Sequence, residues 1–582
     1  MATQEQKKDY KVVKDFVGIN TKANRTAIKE EEFAWLENAM PIGSANVRVV
    51  PAPSTVSGVT FAASVVYATY GNLGTTNYYL AFLSNGSAVQ VTLPGGATTT
   101  IGAAGTFSTS GVQASQWNNT IIIIIDPSKG YFQWNGTNLV KVGSLSFALS
   151  GTGTGYTSAT TITIGAPNQT GGTQAVISAA ITGGAITSVS AYGTGLTPGT
   201  GYTSVPTVTL GSPGSGQTIT ASLISQPGSC IASFAGRVWI ANGRTLYYTA
   251  AGTNNDFIST SAGNIIFNDS TLIGNITQLV SANNFLYVFG GDSINVISDV
   301  RINTTTGATL LTNTNISASV GTDLPYAMMP YFRSIVFMNR YGVYALVGST
   351  TSKLSDALDG VFPYIDFTKN VSAGQVLVYN ILCAAFNFYV TSTFPYGSGG
   401  SRWVQAVYFD KKWFFTSQNA TTFVASIPVS GSAVLFNTTG TDLQKSYQDS
   451  TATINSYIQP ALYGMGNIIR DKVALKFGVE AILSSALGNS MNVTVDSENA
   501  VSPSISLNNF TYVTWVNNAS SVVSWVNAFS QTVNWGNATT GYYLYRYDAQ
   551  MWGKYISLTI TSSSPNWTMT GIQFETELRA RF

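Results

Sequence analysis

Ile231-Ala-Ser-Phe-Ala-Gly-Arg-Val-Trp-Ile-Ala-Asn-Gly-Arg-Thr-Leu-Tyr-Tyr248 reads as strand, turn, strand. Asn242-Gly243 lies between a Val/Trp/Ile run and a Leu/Tyr/Tyr run, and Asn-Gly tolerates the positive φ angles of a tight hairpin. The unit returns as Ala282-Asn-Asn-Phe-Leu-Tyr-Val-Phe-Gly-Gly-Asp-Ser-Ile-Asn-Val-Ile297 and as Phe332-Arg-Ser-Ile-Val-Phe-Met-Asn-Arg-Tyr-Gly-Val-Tyr-Ala-Leu346. Arg402 to Phe415 is a fourth, with Asp410 to Lys412 as its turn. Repeated hairpins of one kind predict a β-propeller-like body in which small sheets bury their faces against neighbours. A β-sandwich gives similar local signals, but the units resemble one another instead of alternating between two sheet types.

The chain has 582 residues, too many for one ordinary core. Only 9% are charged, against about 25% in an ordinary soluble domain. With 44% hydrophobic and 12% aromatic residues it nevertheless has ample surface to bury, so disorder is excluded. Its surface must therefore be solvated mainly by Ser, Thr, Asn, Gln and Gly. The net charge of +2 gives no basis for counterion-driven nucleic-acid binding. Cys230 and Cys383 stand far apart in apolar runs and read as buried free thiols. The polar, mixed-charge start lacks the apolar run of a signal peptide, and Ile121 to Ile125 is a fraction of a membrane span. A soluble protein made in a cytoplasm is expected.

Charge gathers at the front: through Arg48 there are eight Lys/Arg and seven Asp/Glu. Here Thr26 as a cap, Glu30 to Glu32 near a positive helix end, and Phe33, Leu36 and Met40 at i, i+3 and i+7 before Pro41 predict a short amphipathic helix. It reads either as a clip used in assembly or as a surface helix serving only its own chain.

Phe16-Val-Gly-Ile-Asn-Thr21, then Ala34-Trp-Leu-Glu-Asn-Ala-Met-Pro41, then Asn46-Val-Arg-Val-Val-Pro51 resembles the opening of tail nozzle (tail tubular) proteins of short-tailed bacteriophages. Later phrases are similar to the same family: Trp117-Asn-Asn-Thr120 with the Ile run, Tyr131-Phe-Gln-Trp-Asn-Gly136, Gly236 to Ala250, and Val336 to Gly348. The resemblance implies a virion structural protein assembled in the bacterial host cytoplasm, forming a homo-hexameric ring around the DNA ejection channel. Its implied partners are the adaptor (head-to-tail connector) protein above, tail fibre or spike proteins alongside, genomic DNA in passive contact, and the host cell envelope at infection. Phe16, Asn20, Phe33, Trp35, Leu36 and Asn38 are the candidate assembly interface.

Residues 150–226 carry no charge and repeat internally: Gly153-Thr-Gly-Tyr-Thr-Ser158 returns as Gly199-Thr-Gly-Tyr-Thr-Ser204, each followed by a Thr/Ile/Val strand. This predicts an inserted two-repeat β module, similar to decorating insertions of phage tail and fibre proteins. Its glycines lack the Gly-Lys-Ser/Thr that a phosphate loop needs. Near the end, Trp515, Trp525 and Trp535 recur every ten residues, and Ile572 to Phe582 alternates as a docked strand. Together with Tyr156 and Tyr202, the three tryptophans are a possible recognition surface, although packing as successive turns of a sheet is the favoured reading of the tryptophan row.

Fold expectations are accordingly mostly β. They comprise an N-terminal arm with a short helix and strand (residues 1–56), a β-propeller-like body in two parts (57–149 and 227–436), the inserted module (150–226) and a C-terminal β-rich domain (437–582). Histidine is absent, which removes the commonest base and metal ligand. The carboxylate pairs Asp356/Asp359 and Glu575/Glu577 read as structural. No enzyme activity, catalytic residue, metal or cofactor is expected. The rival function is a receptor-binding tail fibre or carbohydrate-binding β protein.

Overall fold

The computed structural model describes residues 8–579, apart from 44, 95, 143, 225, 269, 418–420, 430, 484–489, 509–524, 527–531 and 534–542. Among these the regular structure is nearly all strand, and the only helical pieces are the 3-10 turns Asp356–Leu358 and Phe362–Tyr364. No helix among them is long and apolar enough to cross a membrane.

Seven four-stranded antiparallel units follow one another as the blades of a propeller, six of them separate sheets and the sixth blade part of a ten-stranded sheet. Blade 1 is Val65–Leu73, Thr76–Leu83, Ala88–Leu93 and Ala97–Gly102, and blade 2 is Gln113–Trp117, Ile121–Asp126, Gly130–Trp134 and Leu139–Lys141. Blade 3 is Cys230–Phe234, Arg237–Asn242, Thr245–Tyr248 and Gly263–Ile266, and blade 4 is Ile276–Ala282, Phe285–Gly290, Ile294–Ile302 and Thr309–Ser317. Blade 5 is Met328–Tyr331, Ser334–Asn339, Gly342–Val347 and Thr350–Lys353, and blade 6 is Ser372–Val378, Ile381–Val390, Arg402–Phe409 and Lys412–Thr416. Blade 7 takes Thr421–Val429, Ser432–Thr439 and Asp442–Asp449 from late in the chain. Its fourth strand, Ala52–Thr60, comes from before blade 1.

The second strand of each blade explains the sequence pattern. In blade 2, Ile122 and Ile124 pack with Leu80, Phe82 and Phe107 toward blade 1. Ile123 and Ile125 pack with Val238 and Ile240 toward blade 3. Trp239 and Ala241 turn the other way, to Leu286 and Val288 of blade 4. Tyr287 and Phe289 then meet Ile335 and Phe337 of blade 5. A strand covered on both faces reads as an unbroken apolar run. The circle closes where Phe423, Ile427, Phe436 and Leu443 of blade 7 join Tyr79, Ala81 and Val91 of blade 1.

Most hairpins use the turn chemistry the sequence offers. Ala235 and Gly236 (φ 50° and 64°), Asn283 and Asn284 (51° and 64°), and Asp410 and Lys411 (42° and 60°) form two-residue loops with both φ positive. At Asn242-Gly243 the detail differs: Asn242 is the last strand residue, paired with Thr245, and of the loop Gly243-Arg244 only the glycine takes positive φ.

The predicted helix is not there. Glu32–Glu37 and Ala39–Ile42 are strands, and Thr26 lies in a turn. The ladder to Ser456–Pro460 slips between Phe33 and Trp35, and Asn38 turns a corner at φ 57°. These two irregularities let residues spaced i, i+3 and i+7 all face inward along an extended chain. Every residue from Phe33 to Met40 is buried, which is all-round burial and not a helical stripe.

Both chain ends build a two-sheet sandwich against blade 6, so the arm and the C-terminal domain are one unit. One sheet runs Ala39–Ile42, Asn46–Val49, Trp567–Leu578, Lys472–Leu483, Tyr543–Gly553, with Lys8–Val13 paired to Trp567–Leu578. The other runs Glu32–Glu37, Ser456–Pro460, Ile556–Ser562, Ser490–Ser497, Ile505–Asn508. It continues blade 6 through the parallel contact of Glu37 with Phe415. Leu36, Ile458, Val493 and Ile560 pack with Met40, Phe477, Val479, Ile572 and Phe574 in the same core. Val473, Leu475, Phe477 and Val479 alternate with small or charged neighbours in the sequence, but the strand changes phase at a bulge between Ala474 and Lys476, so Ala474 is buried while Leu475 is only half-buried.

The uncharged insertion lies between blades 2 and 3. Ser144–Thr154 pairs with Ser215–Ile224, and the two repeat copies pair with each other, Ile162 opposite Leu210. It docks on blade 2 through Lys141 N to Gln169 Oε1 (2.6 Å) and Gly201 N to Lys141 O (3.0 Å). Because Ser144 is directly opposite Ile224, the ends of the insertion meet. Excising residues 144–224 is therefore expected to leave a soluble body that melts cooperatively. Circular dichroism and a urea titration check this, and insoluble product would count against the boundary.

Candidate functional site

Two depressions stand out among the described residues: the mouth of the propeller axis, and a polar hollow where the sandwich meets the propeller. The first is a cavity of about 540 Å³ bordered by Tyr67, Thr69, Gln278, Tyr326, Gln375 and Phe423, and its lining contains no Lys, Arg, Asp or Glu. Tyr326 leaves blade 5 and donates its hydroxyl to Val112 O, next to blade 2, at 3.0 Å. On the way its ring stacks on Tyr67 of blade 1 (5.0 Å) and meets the edge of Phe423 of blade 7 (5.7 Å). The three rings cross the axis and close it. Burial pushes the Tyr67 and Tyr326 phenols up, so the plug is neutral across the physiological range.

The second depression has a volume of about 700 Å³, and Glu37, Asn38, Asn455 and Tyr457 lie at its edge. Here Trp35 Nε1 (2.7 Å) and Arg402 Nη2 (3.0 Å) both donate to Glu37 Oε2. Arg402 also donates to Gly399 O (2.7 Å) and Tyr396 O (3.1 Å). The indole of Trp35 lies between Tyr396 and Phe415, at 5.1 and 4.4 Å. Gly397, at φ 65°, passes so close to Trp35, Glu37 and Arg402 that a side chain there would collide with them. Asn38 Nδ2 donates to Asn455 O (2.6 Å) and Ser417 Oγ (3.2 Å), and its Oδ1 accepts from Ser417 N (3.0 Å). A short Leu36-Glu37-Asn38 phrase thus seats the core, anchors an arginine and turns the chain from one sandwich sheet to the other.

These positions revise the expected assembly interface. Phe16, Phe33, Trp35, Leu36 and Asn38 are at most 2% exposed, and Asn20 donates to Glu32 Oε2 at 2.8 Å. The five buried residues hold the chain's own parts together and offer nothing to a neighbour, while Asn20 is half-buried. Removing residues before Phe33 would strip Lys8–Val13 and Phe16 from the fold itself. The expected recognition tyrosines are also internal: Tyr156 and Tyr202 are 3% and 1% exposed. The Tyr202 hydroxyl accepts from Ala175 N (3.0 Å) and donates to Gly165 O (2.9 Å), and the Tyr156 hydroxyl accepts from Gln217 N (3.2 Å). Each repeat thus uses its tyrosine as a core pin. Trp515 and Trp535 lie outside the described residues, and Trp525 sits on the two-residue strand Trp525–Val526.

Three of the four carboxylates weighed for chemistry are ion-paired. Lys353 Nζ lies 2.6 Å from Asp359 and 3.8 Å from Asp356. Glu575 binds Lys8 (2.8 Å) and Arg546 (2.6 Å). Cys230 and Cys383 are free and buried, and burial pushes both thiols up to about 12, far from nucleophilic use. Among the described residues no group of His, Cys, Asp or Glu is placed to hold a metal ion.

No family model and no curated protein matches this chain. Among solved structures, the extracellular domain of a putative one component system, BT4673 from B. thetaiotaomicron, aligns at 8% identity over 69% of this chain and 40% of its own length, with a TM-score of 0.32. A mutant of AofleA from Arthrobotrys oligospora aligns at 10% over 72% and 88%, with a TM-score of 0.27. BamB from Moraxella catarrhalis aligns at 7% over 75% and 98%, with a TM-score of 0.25. The chain spans only 40% of the first of these, and at such scores none bears on function.

Two expectations follow. Asn38→Ala loses three hydrogen bonds and puts a Cβ-bearing residue without a polar tip at φ 57°, and costs about 2–4 kcal/mol. Asn38→Gly relieves the backbone and costs about 1 kcal/mol less, which urea midpoints will resolve. The hydrogen bond and charge of Lys8, with Arg546 beside it, hold the Glu575 carboxyl below its usual range. That contribution is present above the unfolded-state value of about 4.3 and is lost as pH falls through the lower folded value. Amide exchange in Lys8–Val13, corrected for intrinsic rates, is expected to accelerate selectively in that acid window, and in Glu575→Gln at neutral pH.

Proposed function

We propose that this chain is the nozzle, or tail tubular protein, of a short-tailed bacteriophage. In this reading six copies form a ring below the portal and adaptor, with fibres or spikes attached nearby, and DNA leaves through the ring. The observation that carries it is where the family-like phrases fall. Phe16 to Thr21 and Ala34 to Pro41 form the joint between sandwich and propeller, and the later phrases form parts of blades 2, 3 and 5. The resemblance therefore runs through the framework and is not confined to one loop.

Two physical points support the same reading. The axis of a single propeller is crossed by Tyr67, Tyr326 and Phe423, so a DNA path has to lie between copies. A chain with 9% charged residues presents alcohol and amide surface that is cheap to desolvate at subunit contacts, and few cations to hold sliding DNA. No described residue favours the receptor-binding rival at the positions first considered for it, since both tyrosines are internal.

Electron microscopy of the purified protein, alone and with the adaptor protein of the same phage, tests the proposal. Rings of six with a central pore are expected, and the protein should be found in purified virions by mass spectrometry. Trimers with a fibrous shaft, or absence from virions, would overturn it.

A further inference from the structure

The hollow between sandwich and propeller has a floor whose order is not visible in the chain. Glu37 lies directly opposite Tyr457, Tyr457 opposite Thr561, and Thr561 opposite Asn492, on four adjacent strands of one sheet. Their chain neighbours Leu36, Ile458, Ile560, Met491 and Val493 point into the sandwich core, so the four side chains share the other face. At about 4.8 Å per strand the row is about 14 Å long.

Three features of the lining limit what can sit there. Ten of its sixteen described residues carry an alcohol or carboxamide, among them Asn455, Ser417, Thr561 and Asn492. Such groups both donate and accept, so they match a ligand dense in both kinds of hydrogen-bonding group. Among the described residues no Lys or Arg lines it, which disfavours a phosphate-led ligand. Its single carboxylate, Glu37, already receives Trp35 and Arg402, so a cation gains little there. The half-buried ring of Tyr457 adds an amphipathic wall in the middle of the row.

We propose that this row is a binding site for a neutral oligosaccharide, lying along Glu37, Tyr457, Thr561 and Asn492, with Tyr457 against a sugar face and Thr561 and Asn492 bonding its hydroxyls. The inference does not rest on the nozzle reading, because a single copy carries the whole row.

The full chain is to be titrated with maltotriose, cellotriose, mannotriose and tri-N-acetylchitotriose by calorimetry and saturation-transfer NMR. At least one is expected to bind with a Kd below about 1 mM. Asn492→Ala, at an exposed position, and Thr561→Val are each expected to weaken binding about tenfold without moving the melting temperature, and Thr561→Ser to restore it. If Thr561→Val fails to fold, Asn492→Ala alone decides. Absence of binding by all four trisaccharides, or binding that Asn492→Ala leaves unchanged, overturns the proposal. Neither result touches the ring test, which reads assembly and not ligand.

Discussion

Each blade depends on a strand that must be covered on both faces at once. Such a strand cannot be left at a surface: Ile121–Asp126 with one neighbour removed would expose a row of isoleucines. Each blade therefore needs two others, and the series is satisfied only when it returns on itself. This is why the closing contact between blades 7 and 1 matters as much as any single blade, and why the chain gives it a strand from its own beginning, Ala52–Thr60. Burial of a large apolar side chain is worth about 1.5–3 kcal/mol, and in these strands nearly every residue contributes.

That constraint made the propeller legible in the sequence. Runs such as Phe285–Gly290 and Ser334–Asn339 announce themselves by composition; the turn before the first places Asn283 and Asn284 at positive φ, whereas the turn before the second places Phe332 there. The sandwich was less legible because its strands are assembled from opposite ends of the chain. Nothing local to Lys8–Val13 points to residues 572–577. The arm misled for a related reason: one bulge and one positive-φ asparagine converted a helix-like spacing into an inward-facing strand. The tyrosines of the repeat misled too. Their Gly-Tyr-Thr setting looks exposed, yet each hydroxyl finds backbone partners inside the module. The hollow was not legible at all, because its four residues meet only through strand register.

Charge is sparse but placed at joints. Arg25 ties the entry loop to the sandwich through Asp496 (2.8 Å), Pro460 O (2.7 Å) and Leu558 O (2.9 Å). Arg402 ties the sandwich to blade 6 through Glu37. Arg237 is buried in blade 3 with only backbone acceptors, Thr249 O and Ser261 O, and the ring of Tyr248. Removing one partner of such a buried pair leaves an uncompensated charge, which is costly. The molecule thus places several of its few ions where geometry must be fixed, while others, such as Arg301 with Asp299, form exposed pairs.

The closing strand also sets an order of events at the ribosome. Ala52–Thr60 is made early, but its partner Asp442–Asp449 lies some 390 residues later. At roughly 5–20 residues per second that is a wait of about 20–80 s. Blades 1 to 6 have all their own strands by then, while the latch is still a loose edge. Its sequence, Ala-Pro-Ser-Thr-Val-Ser-Gly-Val-Thr, suits the wait: an early proline and several alcohols make a poor template for pairing with a stranger. The nascent protein thus keeps its last fastening harmless until the piece it fastens has been synthesised.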